Sequence, residues 1–591
     1  MLKQIQLLKK CSLIGSLIFL FSMFSNGVRA EEEEPKSVGE SEGFKVMNAG
    51  ETHGQLIYLT VVDVLEESPR YQSLNPLSIP VFEEMPLALT VTAGAITIQQ
   101  QNLLSHVQLK SRARGTPNLD ISGVAQGAKH PYLAKFPDES WVHMTLSSDH
   151  TVTIRPSTRK NAEEHYTDKQ TAVVELKSDT EFNKIYAHHG FTLKKSEDKD
   201  APPEEENIAA TSEFGSIQHH RVGSKAANYA ELAKALNTPE RKVVRPNFAV
   251  PFYYYQKFIN DNDNVKRAVR EAVDDSLMNV AYFSDYRRMV LEGELNPESG
   301  KREGGLIKEF QKEENVVDEE LVNTLLAIFD TQIDPNIPGN KPRKMKLRSS
   351  TNAEDLPNFN GAGLYTSESY KPLSKKKKYL KSVEERKDLI REALKVVWSS
   401  VWNLRAWDER EFFKIPHDDV KMGVQINPSF PDEDVDGVAI TKNIVTAEDV
   451  AHIKGIDVDS VLGKPGVYIE AQRGDNHSVA NPVPGVRPEK ILVTYNPERP
   501  LDQSQYRIVI TGKSNIADDL MSILPNDNPK PVMFDAEIKD MAYQSLKARA
   551  HFKPLLDPEN DSFHLDLEFK VDKGDTGTRA VFVKQARPYI E

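Results

Sequence analysis

The sequence predicts a multidomain protein of mixed α/β and α+β class, in which a small β-rich unit precedes a larger unit that is richer in helix. The chain has 591 residues, which is enough for about four structural units. Short strand-like runs dominate residues 45–190, whereas helical spacing and alternating strands share residues 215–591. Residues 191–214, between them, are charged and contain prolines, so we expect a flexible linker there.

The composition is that of a globular protein. Hydrophobic residues make up 39% of the chain and charged residues 28%, which are ordinary values for folded domains. These values exclude a wholly disordered chain, a collagen-like fibre and a polytopic membrane protein. The formal net charge is −13, and nucleic-acid binding needs a basic face. We therefore expect no nucleic-acid partner.

The first thirty residues have the three parts of a secretory signal peptide. An apolar run at 13–24 follows a positively charged start, and residues 28–30 resemble a small-residue cleavage site. The run is too short for a bilayer, which takes about 20 residues, although an uncleaved anchor stays open. We expect an exported protein, periplasmic or secreted, that is not an integral membrane protein once residues 1–30 are removed. The starting charges are those of Lys3, Lys9 and Lys10.

The single cysteine, Cys11, lies inside this signal. The mature chain would therefore contain no thiol, which excludes disulfide bonds, cysteine-ligated metals and a cysteine nucleophile. Residues 31–44, which follow the signal, are acidic and polar, so we expect a disordered leader.

Local patterns predict the elements of both folded units. In the first unit a short helix is expected after His106, together with strands at 55–62, 87–92, 152–154 and 171–176. In the second unit helical spacing predicts a helix at 226–236 and a long helix at 384–413, whose three tryptophans we assign to the core. Strands are expected at 421–426, 437–441, 466–470, 491–495, 506–510, 565–571 and 580–584.

The common nucleotide and zinc-protease signatures are missing from the sequence, but three other segments suit phosphate chemistry. The first is 221–225, where a Gly-Ser turn leads into the helix at 226–236. Free backbone N–H groups at such a helix start, with Lys225 beside them, suit a phosphate. An ordinary helix cap would look the same.

The second segment is 347–357, followed by Gly361 and Gly363. Arginine can donate two hydrogen bonds to one phosphate group, so Arg348 is a suitable phosphate ligand. The two glycines would let a loop lie close over a triphosphate. A polar loop with two turn glycines is the alternative.

The third segment is a hairpin formed by residues 565–569 and 582–588. It would place Glu568 beside Gln585, and two such oxygen donors suit Mg²⁺ on nucleotide phosphates. Arg587 could stabilise charge on a phosphoryl group during transfer. A hairpin with a surface acid and amide is the alternative.

Taken in this order, the three segments resemble the nucleotide-binding domain of the dikinase family: pyruvate phosphate dikinase, phosphoenolpyruvate synthase and α-glucan, water dikinase. The segments at 422–425 and 436–438 also resemble that family's central strand pair. The resemblance covers residues 215–591. It implies a two-lobed ATP-grasp fold that binds ATP as substrate with Mg²⁺ as cofactor.

The resemblance further implies that phosphates are held by Lys225 and Arg348, within an ATP-binding set that includes Glu354, Gly361 and Gly363. By the same resemblance Mg²⁺ is ligated by Glu568 and Gln585, and Arg587 is catalytic.

The sequence at 102–107 and 112–117 resembles the phosphohistidine segment of the same family. The resemblance implies that 45–190 is a small swivelling β/α phosphohistidine-type domain with His106 as the catalytic nucleophile. A helix N-terminus would stabilise an attached phosphoryl group, and imidazole is largely neutral near pH 7 because its pKa is ~6.5. Without the second domain, a histidine in an ordinary helix cap would be the simpler interpretation.

The order of the two domains resembles the C-terminal half of α-glucan, water dikinase. The implied activity passes the β-phosphate of MgATP through His106 to an acceptor, either a glucan or a small molecule. Two alternatives stay open: a catalytically inactive nucleotide-binding module, and a partial phosphoenolpyruvate synthase-like protein. The inactive module is favoured by export and by residues 472–477, where relatives carry a glycine-rich stretch that ends in glutamate.

Overall fold

The computed structural model describes residues 44–86, 89–99, 101, 106–122, 133–149, 151–170, 176–188, 208–209, 218–280, 284–334, 337, 339–354, 356, 359, 361, 363–374, 379–430, 433–453, 455–474, 479, 486–515, 531–574 and 577–589. All of them belong to one compact unit, Val38–Glu591. The predicted signal peptide, almost all of the leader and most of the predicted linker lie outside the described residues. Several sheets and helices alternate along the described chain, so the expected mixed α/β class is confirmed.

The strands are numbered in chain order. They are β1 Lys45–Asn48, β2 Gly50–Leu59, β3 Ser78–Phe82, β4 Ala95–Thr97, β5 Asn118–Asp120, β6 Trp141–Leu146, β7 Val152–Pro156, β8 Ile185–His188, β9 Ile208–Ala209, β10 Asn247–Val250, β11 Glu294–Leu295, β12 Arg302–Glu303, β13 Met345–Thr351, β14 Glu368–Tyr370, β15 Met422–Pro428, β16 Val435–Ile440, β17 Gly466–Arg473, β18 Glu489–Thr494, β19 Arg507–Gly512, β20 Leu565–Asp572 and β21 Ala580–Pro588.

The α-helices are numbered in the same way. They are α1 Val61–Leu65, α2 Pro69–Gln72, α3 His106–Ala113, α4 Arg159–Lys169, α5 His219–Val222, α6 Ser224–Leu236, α7 Phe252–Asp261, α8 Asp263–Val273, α9 Ser284–Glu292, α10 Gly305–Gln311, α11 Glu319–Thr331, α12 Val383–Ser399, α13 Leu404–Phe412, α14 Ala447–Ala451 and α15 Asp535–Leu556. Among the described residues, none of these helices combines the length and the hydropathy that a bilayer crossing requires.

The first sheet holds the described strands of the N-terminal region in the order β1-β5-β4-β3-β2-β6-β7. The strands from β2 to β5 run parallel to their neighbours, and the outer pairs are antiparallel. The strand predicted at 55–62 ends early because Thr60 and Asp63 exchange hydrogen bonds in a capping box that starts α1. The strand predicted at 87–92 is wrong for 89–92, which form no strand, and residues 171–175 lie outside the described part.

The second sheet has the order β14-β13-β15-β10-β8-β9. It packs against the largest apolar cluster, which includes Trp398, Trp402 and Trp407 as expected. β8 belongs to this sheet, since its residues pair with β10 and not with any strand of the first sheet. The short strand β9 extends the same edge.

The long helix predicted at 384–413 is two helices, α12 and α13, joined by a 3₁₀ turn, Ser400–Trp402. The hydroxyls of Ser399 and Ser400 donate to carbonyls three residues earlier, at 3.0 and 2.6 Å. Such local bonds compete with the helical ladder. The apolar stripe continues across this break, which is why periodicity alone suggested one helix.

The large antiparallel sheet of the C-terminal region has the order β19-β18-β17-β16-β20-β21. Side chains alternate between the two faces of a strand. One face of this sheet is apolar, and the other carries charged groups beside a second apolar cluster that includes Val438, Ile440 and Tyr468. Its apolar face packs against α15 in a cluster that includes Ile469, Leu567 and Phe569. The opposite face carries Asp436, Glu568 and the other charged groups described below. The described chain also contains the two-stranded ribbon β11-β12.

The first region docks on the rest of the unit through buried polar contacts. Arg114, just after α3, forms an ion pair with Glu409 of α13 at 2.9 Å, and both side chains are almost fully buried. Arg112 Nη1 donates to Tyr589 Oη at 2.7 Å. Arg487 contacts Glu84 at 3.2 Å. These contacts tie α3 to both later sheet regions.

We predict that Arg114→Ala strongly destabilises the protein, because it leaves the carboxylate of Glu409 buried without its partner. Removing one partner of a buried ion pair costs about 3–5 kcal/mol. The matched control is Arg70→Ala, which breaks the exposed pair with Asp138 and should cost no more than about 1 kcal/mol. Thermal unfolding of both variants measures the difference, and equal melting temperatures would contradict the prediction.

Candidate functional site

The start of α6 is pressed against strand β13 at Gly223. Gly223 has φ +83, and a Cβ placed there would lie 2.4 Å from the backbone carbonyl of Ser350. Only glycine combines this conformation with so close an approach. The amide of Ala226, in the first turn of α6, donates to Ser350 Oγ at 3.0 Å. The Gly-Ser turn noted in the sequence therefore joins the first and second of the three segments.

Lys225 lies where these two segments meet. Its Nζ donates to Ser349 O at 2.9 Å and to Glu354 Oε1 at 3.0 Å. The other oxygen of Glu354 accepts from the amide of Thr351 at 3.0 Å. Lys225 and Glu354, both predicted from sequence for the ATP-binding set, are thus an ion pair at the same place.

The two predicted loop glycines, Gly361 and Gly363, follow Glu354 closely in sequence. A Cβ at Gly361 would fall 2.6 Å from Glu354 Cγ, so the loop packs directly on that carboxylate side chain. Gly363 has φ +66, a conformation that favours glycine. Asp355 and Ala362, which complete the two motifs, lie outside the described residues.

Arg348 reaches from the second sheet to the large C-terminal sheet. Its Nη1 donates to Lys584 O at 3.0 Å and its Nη2 to Gln585 Oε1 at 2.9 Å. Glu568 Oε2 lies 3.8 Å from Nη2. Glu568 and Gln585 are cross-strand partners on β20 and β21, so their predicted adjacency is confirmed. The second and third sequence segments therefore meet where β13 approaches β20 and β21.

Four further charged groups complete what we call the charged layer, defined as Arg348, Glu433, Asp436, Glu568, Lys570 and Lys584. Lys570 forms ion pairs with both Glu433 and Asp436. Lys584 Nζ lies 3.1 Å from Glu568 and 3.8 Å from Asp436. Acids and bases alternate through the layer, so each buried charge has an opposite neighbour.

In the charged layer, ion pairing shifts the pKa values more than burial does. Burial alone would lower the pKa of Lys570, but Asp436 and Glu433 raise it above the usual value. Burial would raise the pKa of Asp436, but Lys584 and Lys570 hold it below the usual value. Sequence reasoning gave no role to Asp436, Lys570 or Lys584. The alternation of charged residues at 566, 568, 570 and 572 of β20 was the available signal.

Arg587 is bound to an acid that sequence reasoning did not single out. Its Nε and Nη2 both contact Asp566 Oδ2 at 2.8 Å, and the two residues are cross-strand partners. Both side chains are almost fully buried. The guanidinium is therefore held in place beside the charged layer, two residues along β21 from Gln585.

A second unassigned acid, Glu470, lies on the same face of the sheet. Val438 of β16 is the cross-strand partner of both Glu470 and Glu568, which places all three on one face. Glu470 is fully buried and accepts from Tyr468 Oη at 3.0 Å. Burial raises the pKa of its carboxyl above the usual range.

The helix that starts at His106 docks beside this face. The backbone places His106 as the first residue of α3, one turn before Lys110; its side chain lies outside the described residues. Lys110 is buried, and burial lowers the pKa of its amine to about 7. The negative charge of Glu409 opposes this shift, and the positive charge of Arg587 adds to it. Arg112 of the same helix donates to Tyr589 Oη at 2.7 Å, so α3 reaches the end of β21.

The donor set at Glu568 and Gln585 fits Mg²⁺. A carboxylate and an amide oxygen on neighbouring strands are hard ligands of the kind that Mg²⁺ takes together with phosphate oxygens. In the chain by itself, these oxygens contact Lys584 and Arg348 instead. The cations and a metal ion would therefore share or exchange the same oxygens.

The departure from the family pattern at 472–477 is partly described. Arg473 ends β17, and its Nη2 donates to Pro531 O at 2.7 Å. Gln472 Nε2 donates to Arg487 O at 2.9 Å. Residues 475–478 lie outside the described part of the chain.

Comparison with known families decides the assignment. The family model of the pyruvate phosphate dikinase AMP/ATP-binding domain matches residues 219–591. The chain belongs to this dikinase family. No curated protein sequence matches the chain. The dikinase family binds ATP for phosphotransfer, and its match includes Lys225, Arg348 and the whole charged layer.

We predict that Gly223→Ala loosens the junction between α6 and β13 in this dikinase domain, because the new methyl group would collide with the backbone of Ser350. Backbone strain of this kind costs on the order of 1–3 kcal/mol before the collision is counted. Gly463→Ala is the matched control, since Gly463 has φ +65 but open space around its Cβ. Gly223→Ala should lower the melting temperature clearly more; equal losses would show that the close approach is unimportant.

We predict a pH-dependent effect of Lys110→Met. The folded-state pKa of Lys110 is about 7 against an ordinary 10.5, so the unfolded chain binds the extra proton between these values. Below pH 7 the buried charge of Lys110 therefore lowers the free energy of unfolding of the wild type by its full amount. This loss shrinks as the pH rises from 7 toward 10.5. The variant should gain melting temperature at about pH 6.5 and lose most of that advantage at about pH 9.5.

The control for this prediction is Lys160→Met, which replaces an exposed lysine on α4. Its melting temperature relative to wild type should change little between the two pH values. A constant difference for Lys110→Met across the same range would contradict the low pKa.

Proposed function

We propose that the protein is an exported ATP-dependent phosphotransferase of dikinase type. In this proposal MgATP lies between the second sheet and the large C-terminal sheet, which would be the two lobes of an ATP-grasp fold. The observation that carries it is the reach of Arg348 from one sheet to Gln585 and Glu568 of the other. Such a cleft brings cations and oxygen ligands together where a polyphosphate chain needs both.

Lys225 and Arg348 would bind phosphate oxygens in this cleft. Both are already held by oxygen partners, Glu354 and Gln585 respectively, so ATP would exchange those partners for phosphate. Gly361, which packs on Glu354, and Gly363 would bring the following loop close to the nucleotide. Before that exchange, Glu354 would keep Lys225 in position.

Glu568 and Gln585 would hold Mg²⁺, which neutralises phosphate charge when bound. Arg587, fixed by Asp566, would stabilise charge that develops on the phosphoryl group. Because its guanidinium is already oriented, little reorganisation would accompany the reaction. These assignments rest on the contacts above and on the family that the chain belongs to.

His106 would be the nucleophile. Attack of its neutral imidazole on the β-phosphorus forms an N–P bond and breaks the bond to the oxygen shared with the α-phosphate, so AMP leaves and the β- and γ-phosphates stay on His106. Water would then cleave the β–γ anhydride, which releases the γ-phosphate as inorganic phosphate and leaves the β-phosphate on the histidine. The start of α3 at His106 supports this, because Arg112 of the same helix contacts Tyr589, directly after the strand that carries Gln585 and Arg587. The phosphohistidine domain, predicted at 45–190, would then swing to an acceptor. Because β8 and β9 pair within the second sheet, its hinge would lie before Ile185 rather than in the predicted linker at 191–214.

The acceptor that we propose is a glucan hydroxyl, by analogy with α-glucan, water dikinase. A small molecule is the alternative, as in a partial phosphoenolpyruvate synthase-like protein. The second candidate function is a nucleotide-binding module without turnover. Arg473, in the segment that departs from the family pattern, favours it, since it bonds a backbone carbonyl.

The test uses ATP labelled separately at the β and γ positions. We expect acid-labile, alkali-stable β-label on the wild-type protein and none on His106→Ala, whereas His452→Ala, which changes an exposed histidine, should keep it. MgATP at 100 times its Kd should also stabilise the protein by about 2.7 kcal/mol, and Arg348→Ala should lose most of this shift. Stabilisation without label would identify the inactive module, and absence of both would refute ATP binding.

A further inference from the structure

Three potential metal ligands gather on one face of the first sheet, on the strands β2 and β6. Glu51 and His53 are two residues apart on β2, so both point to the same face. His143, on β6, is the cross-strand partner of His53. One ligand atom from each of the three lies within 4.8 Å of the others. These residues are far from the dikinase motifs in sequence.

The two strand histidines are in direct contact. The rings of His53 and His143 stack with centroids 4.2 Å apart and planes 3° apart. His143 Nε2 lies 2.7 Å from Glu51 Oε1. Two stacked imidazoles would repel each other if both were protonated, so the arrangement favours at least one neutral ring.

A third histidine comes from the helix that covers this face. The ring of His165, on α4, lies 5.4 Å from that of His53, and its Nε2 is 3.0 Å from Glu51 O. Lys169, one turn further along α4, donates to the same carbonyl at 2.8 Å. Thus α4 and both strands contribute to one polar centre.

The hydrogen bonds leave metal-binding atoms available. His53 Nδ1 lies 2.7 Å from Ser157 Oγ; when Nδ1 donates its proton there, the lone pair is on Nε2. This pattern, in which one ring nitrogen bonds a polar partner and the other binds a metal, is usual at metal sites. Neutral imidazole is the form that binds metals.

We propose that Glu51, His53 and His143 bind one divalent transition-metal ion of the Zn²⁺ type, with His165 beside them as a neighbour rather than a ligand. Imidazole and carboxylate ligands suit Zn²⁺, Cu²⁺ or Ni²⁺, whereas Mg²⁺ prefers an all-oxygen set. The site is therefore chemically distinct from the proposed MgATP site, and it does not depend on that function. Side-chain rotation must unstack the two rings, because a metal ion lies in the plane of each imidazole that binds it.

The position of the site gives it a structural consequence. Tyr166 follows His165 on α4 and packs against Phe412 of α13, with ring centroids 6.1 Å apart. A metal ion on β2 and β6 would fix Glu51, whose carbonyl oxygen bonds His165 and Lys169 of α4, and would thereby hold α4 in the orientation that makes this contact. Occupancy should therefore stabilise the docked first region as well as its own sheet.

The experiment is a calorimetric titration of the whole protein with Zn²⁺ alone, after chelation and removal of the chelator, without nucleotide or Mg²⁺. We expect one site per chain that is lost in His53→Ala and His143→Ala and weakened roughly tenfold or more in Glu51→Gln. His452→Ala, at an exposed histidine outside the cluster, is the matched control and should bind like wild type. Wild-type affinity and stoichiometry in His53→Ala and His143→Ala would overturn the proposal.

Two further measurements keep the result independent of folding defects. His143→Gln retains a polar side chain of similar size, and its melting temperature without metal should stay near that of the wild type. Co²⁺ in place of Zn²⁺ should give visible ligand-field absorption in the wild type that His143→Gln and His53→Ala lack. Equal absorption in all three proteins would refute this ligand set.

Discussion

The constraint on which this structure depends is the burial of many charges between two sheets. Moving an ion out of water costs several kcal/mol even after relaxation, and only close pairing offsets that cost. Lys570 meets this requirement with Glu433 and Asp436, and Lys584 meets it with Glu568. A one-residue slip of β20 would turn these groups toward α15 and the apolar core. The charged layer therefore specifies the register of the sheet as well as the chemistry of the cleft.

The same pairing determines how a nucleotide would enter. Every cation that we assign to phosphate already has an oxygen partner from the chain, such as Glu354 for Lys225 or Gln585 for Arg348. Binding would therefore exchange partners within a nearly neutral network. In this arrangement each cation lies next to an oxygen partner. The site could therefore bind a highly charged substrate without carrying a large net charge of its own.

The N-terminal region contributes a separate kind of polar centre. Three of its histidines gather on β2, β6 and α4, while its helix α3 approaches the large sheet through Arg112, which contacts Tyr589 just after β21. The ion pair of Arg114 with Glu409 is buried, so docking of this region is specific rather than a loose collision. A swivelling role would require this pair to break and re-form, and the docked arrangement would then be one of at least two working states.

Local sequence pattern determined much of this protein. The Gly-Ser turn at 223–224, the helix after it and the pairing of Glu568 with Gln585 follow from turn chemistry and strand alternation, which act over a few residues. Tertiary structure alone decided that β8 joins the second sheet, that Lys570 pairs with Asp436, and that His53 meets His143. Those partners are far apart along the chain, and no local periodicity encodes their register. The break between α12 and α13 also escaped sequence analysis, because serine hydroxyls interrupt the helix without interrupting its apolar stripe.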